Sequence, residues 1–469
     1  MTTWIIVFFA IFFSLLIWAS YKSYKKDRSS DDFMLAGSSI GAVLGFLTFA
    51  AALFSAFTFM GMPDFFRVHG VGAWLFLAFS DGFMVFFLLW FAYKLRKTAK
   101  RIGYKGISGM VAEAYKNKWA GYLLFLSSFI FLVPYVSIQI RGISIFLDAS
   151  FPSLVPSWVW AVGTVVIMLV YAQIGGLKAI VFSDAIQALL LLVVIWIIGT
   201  VCLQKAGGLG TMFATIKETN PDLLSLPGPK GLFSIQFLIA SALSIILIPV
   251  SQPQFTTRLV VMKDLPAVHK MAYAVGIFAI LVIIPTAFIG FYGAIKYPDA
   301  NTSDFLTSAL LSDQMAPVAA LAVVGLFAAC LSTTNAQIFA LGTEIRSLLK
   351  GEDKKVMNIT RISLLVFTIV VLVFSTLMGN ELALLAKVSF TGTSMIAPVV
   401  FGAIWFKKPP QSFIVISALA LIIYIGSVLS IVPNHFGDWR LDILLYAFLT
   451  IACSMIYFTH KKTEATHAN

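Results

Sequence analysis

The chain has 469 residues, of which 59% are hydrophobic and only 12% charged, with a mean hydropathy of +0.93. A water-soluble domain carries about 25% charged residues, so lipid must solvate most of this chain, and a soluble enzyme or binding module is excluded. The net charge of +12 does not mark a nucleic-acid binder, because Lys and Arg fall in short clusters between apolar runs, the pattern of loops beside anionic lipid.

At the N-terminus, Met1-Thr2-Thr3 leads straight into the apolar run Trp4–Trp18, and the basic residues Lys22, Lys25, Lys26 and Arg28 follow it. A cleaved signal peptide has the opposite order, so this is a true first helix with its N-terminus outside. Apolar runs of about 20 residues predict about thirteen membrane helices. They lie near 4–20, 41–66, 72–95, 120–147, 156–174, 179–205, 233–257, 270–296, 316–346, 359–379, 383–406, 411–432 and 441–459. With the N-terminus outside, the inside segments carry Lys94, Arg96, Lys97, Lys100, Arg101 and Lys105, then Lys178, then Arg258, Lys263 and Lys270. Arg346, Lys350, Lys354 and Lys355 follow, then Lys407 and Lys408, then Lys461 and Lys462. The agreement along the whole chain predicts a multi-pass protein of the plasma membrane, a bacterial inner membrane, with a cytoplasmic C-terminus. Residues 297–315 read as a short amphipathic helix across the outer face, and Asn301-Thr302-Ser303 fits a glycosylation sequon that carries little weight by itself.

Several segments break the apolar pattern. The second carries Ser55, Thr58 and Gly61, and the seventh contains Pro249-Val250-Ser251-Gln252-Pro253-Gln254. Prolines and glutamines inside a membrane helix mean freed backbone groups and a wet or protein-lined site, or else a simple kink. Five helices separate the two segments, a spacing that suits paired five-helix repeats with broken first helices. At mid-membrane of the ninth lies Phe327-Ala328-Ala329-Cys330-Leu331-Ser332-Thr333-Thr334-Asn335-Ala336-Gln337. Such a hydroxyl and amide block indicates a cavity, an ion or a close helix crossing.

Asp81, Arg141 and Asp184 sit within apolar segments. Each costs about 3 kcal/mol if it faces lipid unpaired, so each is expected to face the bundle interior. Asp81 and Arg141 can pair with one another, or Arg141 can meet a carboxylated substrate bidentately. Asp184 can form a structural salt bridge or hold a cation. Cys202, Cys330 and Cys453 are far apart in apolar runs and carry neither metal spacing nor a disulfide framework.

These residues resemble the sodium:solute symporters, the family of the sodium/glucose, proline and pantothenate symporters. Phe33-Met34-Leu35-Ala36-Gly37, Phe59-Met60-Gly61-Met62-Pro63 and His69-Gly70-Val71-Gly72 resemble the family's opening helix pair. Gly175-Gly176-Leu177-Lys178-Ala179 with Ser183-Asp184 and Gln187 is similar to its most specific motif. Pro253, Arg258 and Lys263-Asp264 resemble the exit of its broken seventh helix, and Ala329-x-x-Ser332-Thr333 its sodium-binding helix.

The resemblance implies an all-α polytopic transporter domain over 1–469 with a LeuT-like 5+5 inverted repeat, one leading and two trailing helices. The repeats would span 41–205 and 233–406. It implies a sodium site made by the carbonyls of Ala51, Phe54 and Ala329 and the hydroxyls of Ser332 and Thr333. Carbonyls freed where a helix unwinds point their negative ends at such a hard cation. Asp184 would serve sodium coupling or a second site. Asn335 and Ala336 stand where a second sodium's hydroxyl ligands are expected, which favours one sodium. Ser55 and Thr58 match substrate-facing positions, Phe79, Asp81 and Gln252 are pocket candidates, and an organic anion or amino acid fits better than a sugar.

The expected function is therefore sodium-coupled secondary active symport of a small organic solute by alternating access, with no catalytic group, no organic cofactor and no implied protein partner. Proton coupling on the same fold, a transporter-like membrane sensor and a channel are the rivals. The sensor is disfavoured because no signalling domain follows the last helix, and the channel because no ring of charges or carbonyls is readable.

Overall fold

The computed structural model describes residues 1–23, 39–174, 176–377 and 382–466. The Phe33–Gly37 stretch, Gly175, the basic residues Lys25, Lys26 and Arg28, and the last two residues of the expected tenth helix lie outside them. In hydrocarbon each backbone N–H and C=O must find a partner inside its own segment, so the apolar runs become helices. In chain order these are α1 (Thr2–Ser23), α2 (Ala42–Leu53), α3 (Met62–His69), α4 (Ser80–Ile102), α5 (Ile107–Tyr115) and α6 (Lys118–Ser150). They continue with α7 (Ser157–Ile174), α8 (Gly176–Lys205), α9 (Gly208–Thr219), α10 (Ile235–Ile246), α11 (Pro253–Val261) and α12 (Leu265–Lys296). The last are α13 (Ala316–Leu348), α14 (Asp353–Leu377), α15 (Leu382–Ser394), α16 (Ala397–Trp405), α17 (Ser412–Val428) and α18 (Leu441–Thr466). A two-stranded hairpin, His435–Phe436 with Trp439–Arg440, joins α17 to α18.

Among the described residues nine helical spans are long and apolar enough to cross a membrane, α15 and α16 together making one of them. A tenth span is the pair Ala42–Leu53 and Phe57–His69, bent by 58°, and Ser157–Leu169, Ile235–Ile246 and Ser412–Val428 are shorter apolar helices. All thirteen expected segments thus hold helix, but the second and seventh are broken where hydroxyls, prolines and glutamines interrupt them. The loop after α12 holds the expected short helix, Thr302–Thr307. Asn301 caps it, its side chain accepting from the Asp304 N–H at 2.9 Å, which gives that asparagine a structural role.

The bundle is layered around α13. In that helix, as in the span Leu382–Trp405, 78% of the membrane-crossing stretch is buried, against 22% in α1, so α13 is central and α1 peripheral. Small residues permit the close contacts. A Cβ on Gly392 of α15 would fall 2.1 Å from the Phe131 ring of α6, and one on Gly290 of α12 would fall 2.5 Å from the Pro63 carbonyl of α3. The α8–α13 pair is antiparallel. Val194 of α8 lies 3.2 Å from the place a Gly325 Cβ would occupy, and the Gln314 amide, just before α13, reaches the Cys202 sulfur near the end of α8.

Candidate functional site

The second segment unwinds because its own side chains compete for the backbone. The Ser55 N–H donates to Thr58 Oγ1 at 3.1 Å and the Phe57 N–H to Ser55 Oγ at 3.1 Å, while Phe54 turns extended at φ −93° and ψ 122°. The groups this frees are received by α6. The Leu53 carbonyl accepts from Tyr135 Oη at 3.0 Å, and the Ala56 N–H donates to Gln139 Oε1 at 2.9 Å. Gln139 Nε2 completes the knot by donating to Ser55 Oγ at 3.2 Å. Ser55, Thr58 and Gln139 are fully buried, so this polar knot lies wholly inside the bundle.

One turn earlier, the Ala51 carbonyl accepts from two hydroxyls of α13, Ser332 Oγ at 3.1 Å and Thr333 Oγ1 at 3.0 Å. Ser332 Oγ also lies 2.9 Å from the Ala329 carbonyl. Two carbonyl and two hydroxyl oxygens therefore meet where α2 ends against the middle of α13, all buried. A hydroxyl that now donates to a carbonyl can rotate and offer its lone pairs, so the same four oxygens can surround a small hard cation. Phe54 ends α2 with its ring 5.4 Å from that of Phe278, and no hydrogen bond joins it to Ser332 or Thr333.

Asp184 forms a salt bridge. Its Oδ2 accepts from Arg258 Nη2 of α11 at 2.9 Å and from Thr48 Oγ1 of α2 at 2.5 Å, while Oδ1 has no partner. Arg258 also donates through Nε to the Thr48 carbonyl at 3.0 Å. The clamp joins α2, α8 and α11 one turn before Ala51.

Gln187 sits beside it. Seven residues separate Gln187 from Val194 on α8 and Gly325 from Ser332 on α13, two helical turns in each case. Because the helices run antiparallel and touch at Val194 and Gly325, Gln187 is brought level with Ser332 on the facing side. Its amide N and O are buried without a hydrogen-bond partner, as are Thr334 Oγ1, Asn335 Oδ1 and both amide atoms of Gln337.

The second break centres on Gln252, extended at φ −107° and ψ 121° between Ser251 and Pro253. Gln252 Nε2 donates to Thr393 Oγ1 of α15 at 3.4 Å, and Gln252 Oε1 accepts from Gln254 Nε2 at 2.7 Å.

Two expected pocket residues are not brought to these breaks. Phe79 is 54% exposed and its ring packs at a tilt, 4.4 Å away, against that of Phe83, which is 48% exposed, so it points out of the bundle. Arg141 follows Gln139 by two residues and so lies about 160° round α6 from it, away from the Ser55 knot. It does not pair with Asp81 either: among the described residues neither has an ion-pair partner, and Arg141 Nε is buried without a hydrogen bond. Asp81 is buried at 6% exposure and lies within electrostatic reach of the Tyr135 phenol. Reasoning from sequence gave no role to Tyr135, Gln139, Thr48 or Arg258 at the site. Gln139, an amide deep in an apolar run, was a visible signal, and Arg258, set among the inside basic residues and the exit of the seventh helix, is instead buried against Asp184.

Residues 33–412 match the model of the sodium:solute symporter family. The chain is 25% identical to a sodium/pantothenate symporter of Haemophilus influenzae, over 97% of this chain and 93% of that one. It is 22% identical to a high-affinity proline transporter of Bacillus subtilis, over 92% and 96% of the two chains. A sodium-coupled sialic acid symporter in a substrate-bound outward-open state has the same fold, with a TM-score of 0.72, 15% identity, and 96% and 95% of the two chains covered. With its broken second and seventh segments, its LeuT-like fold and a family match across most of its length, the chain belongs to the sodium:solute symporter family, whose members are sodium-coupled transporters and not enzymes.

Proposed function

We propose that the chain imports a small organic solute, an amino acid or organic anion in preference to a sugar, together with one sodium ion held by Ala51, Phe54, Ala329, Ser332 and Thr333. The observation that carries this reading is the Ala51 carbonyl accepting from both Ser332 and Thr333 at 3.1 and 3.0 Å. These oxygens link the unwound end of α2 to α13, so a cation among them draws the two helices together. If the solute prefers that arrangement, sodium raises solute affinity and the solute raises sodium affinity by the same factor. An inside-negative potential adds about 2.3 kcal/mol per charge per 100 mV to the driving force. Gln187, level with Ser332 and with a free carbonyl oxygen, is the further side chain that can complete or position this site. Asp184 acts through its clamp on Thr48 and Arg258, which fixes the turn of α2 that carries Ala51.

The solute would lie between the two breaks, against Ser55, Thr58 and Gln252, with Tyr135 and Gln139 of α6 behind them. Asp81, a buried carboxylate within electrostatic reach of Tyr135 and without an ion-pair partner among the described residues, supports a solute that carries an ammonium group. Pantothenate, proline and sialic acid, named for the relatives, each bear a carboxylate, and proline an amine as well. Residues 41–205 and 233–406 serve as inverted repeats, each opening on a broken helix, in a plasma membrane with the N-terminus outside and the C-terminus in the cytoplasm.

Thermal unfolding of the purified chain in sodium against choline and potassium, across amino acids, monocarboxylates, sialic acid, pantothenate and sugars, tests this reading. A sodium-specific rise in Tm that S332A with T333A abolishes is expected, followed by a sodium-dependent rise with one amino or carboxylate solute. Q187L is expected to raise the sodium concentration needed for half the shift. A sodium response unchanged in the S332A/T333A variant would remove the proposed cation site.

A further inference from the structure

Helices α4, α10, α16 and α18 enclose a cavity of about 780 Å³. Its walls are apolar and aromatic, among them Phe401, Trp405, Tyr457 and Phe458. Trp405 and Phe458 are 45% and 69% exposed, so the cavity opens sideways towards the surface that meets lipid. Only one charged side chain lines it, Lys94 of α4. Among the described residues Lys94 is half-buried and has no carboxylate within ion-pair distance. No acidic residue occurs in the stretches 90–101, 243–247, 394–413 or 446–458 from which the walls are drawn.

An unpaired ammonium at the mouth of an apolar, laterally open cavity calls for a ligand with a long hydrocarbon part and an anionic head. Its surroundings agree. Lys97, Lys100 and Arg101 continue α4 beyond Lys94, and Lys407 and Lys408 follow α16, so this end of the bundle is basic and suits an anionic head. Trp and Tyr rings at the mouth suit the depth at which headgroups begin.

We propose that this cavity binds an anionic phospholipid of the leaflet at the basic end of the bundle, an acyl chain seated between α16 and α18 and the phosphate on Lys94. The cavity floor joins the transport machinery. Tyr446 Oη meets Ser394 Oγ at 2.6 Å and Ser244 Oγ at 2.9 Å, and Ser244 Oγ meets Thr391 Oγ1 at 2.8 Å. Thr393, next in line on α15, accepts from Gln252 at the second break. A lipid seated here therefore packs behind the two helices, α10 and α15, that frame that break.

The test is native mass spectrometry of the full chain, released from vesicles of phosphatidylglycerol and phosphatidylcholine in equal amounts. The wild type is expected to keep phosphatidylglycerol in preference to phosphatidylcholine. K94Q should lower that preference about fivefold, the worth of one basic side chain at a membrane surface, and K94R should keep it. A397F, which narrows the cavity between α16 and α18, should weaken retention of both lipids while the chain stays monodisperse. Equal retention of the two lipids by the wild type, or a preference untouched by K94Q, overturns the proposal. None of these readouts depends on the identity of the solute or on the cation site.

Discussion

The two broken helices reach one backbone shape by different means. Phe54 and Gln252, the extended residues at the two breaks, have φ and ψ of −93° and 122° and of −107° and 121°. The first break has no proline. Ser55 and Thr58 fold onto their own backbone, and Tyr135 and Gln139 of α6 supply the partners that the helix has lost. The second is built from Pro249 and Pro253 and closes on itself, the Gln252 N–H donating to the Ile248 carbonyl at 3.0 Å and the Ser251 N–H to the Leu247 carbonyl at 3.1 Å. Both close locally, Phe54 N–H onto the Ala50 carbonyl as Gln252 N–H onto that of Ile248, but the first takes its further backbone partners from α6, whereas the second is set mainly by its prolines, with side-chain bonds to Thr393 of α15. A helix that depends on a neighbour can change when the neighbour moves, so the first is the more responsive of the two. Arg258 ties them together: it lies on α11 just beyond the second break and bonds Thr48 and Asp184 just before the first.

The largest effect is therefore expected at that tie. R258A leaves Asp184 a buried carboxylate with Thr48 as its sole partner, and breaking a buried pair in this way costs about 3–5 kcal/mol. Chemical unfolding in detergent should show the loss, and D184N combined with R258Q should cost less than the two single changes added together. An R258A protein as stable as the wild type would mean that the breaks are independent. Next comes Q139L, which orphans the Ala56 N–H and removes a donor from Ser55, a cost of about 1–3 kcal/mol. Hydrogen exchange should then quicken at residues 54–58 and stay unchanged at 250–254. Faster exchange at both would contradict the contrast drawn between them.

The same contrast marks what the sequence could and could not reveal. Apolar runs located the membrane helices, because hydropathy is local, but not the short helices α5 and α9 between them. The second break was readable because proline announces itself within its own segment. Ser332 and Thr333 stood out as hydroxyls in an apolar helix, and the structure places them on Ala51. The first break's partners were hidden, since Leu53 and Tyr135 are 82 residues apart and nothing local pairs them. Arg141 misled for a related reason: a charge in an apolar run shows that it needs an interior or a water-facing place, but its facing depends on the rotation of α6, which neighbouring helices fix. Phe79, 54% exposed, shows the same limit, because an aromatic residue in a membrane helix suits the lipid face as well as a pocket.

If the second break is self-sufficient, losing one proline should matter little. P253A restores an N–H at the start of α11 and frees a φ that the ring had fixed. The expected cost is about 0.4–1 kcal/mol, through the wider unfolded ensemble. Unfolding midpoints of P253A and Q139L, measured side by side, give the comparison directly. A loss in P253A as large as that in Q139L would show that the second break also relies on distant partners such as Thr393.

The smallest effect sets the scale for a carboxylate that water can reach. Asp313, in the loop before α13, accepts from Lys296 Nζ at 2.6 Å and from the Tyr292 and Tyr297 hydroxyls at 2.7 Å each. Partial burial works against its charge, but the three donors outweigh it, Lys296 foremost, and hold the carboxyl below its usual range. A depressed folded-state value means that the stabilisation is fully present above the unfolded value of about 3.9 and is lost as pH falls through the folded one. D313N should therefore lie below the wild type by a constant amount from neutral pH down to about pH 5, and the gap should close at more acidic pH. Lys296 is 46% exposed, so the gap at neutral pH should be on the order of 1 kcal/mol or less. A gap as wide as that of R258A would mean that this outer cluster carries the bundle as much as the buried clamp does. A gap that widened on acidification would mean that the donors favour the protonated carboxyl, the reverse of the arrangement seen.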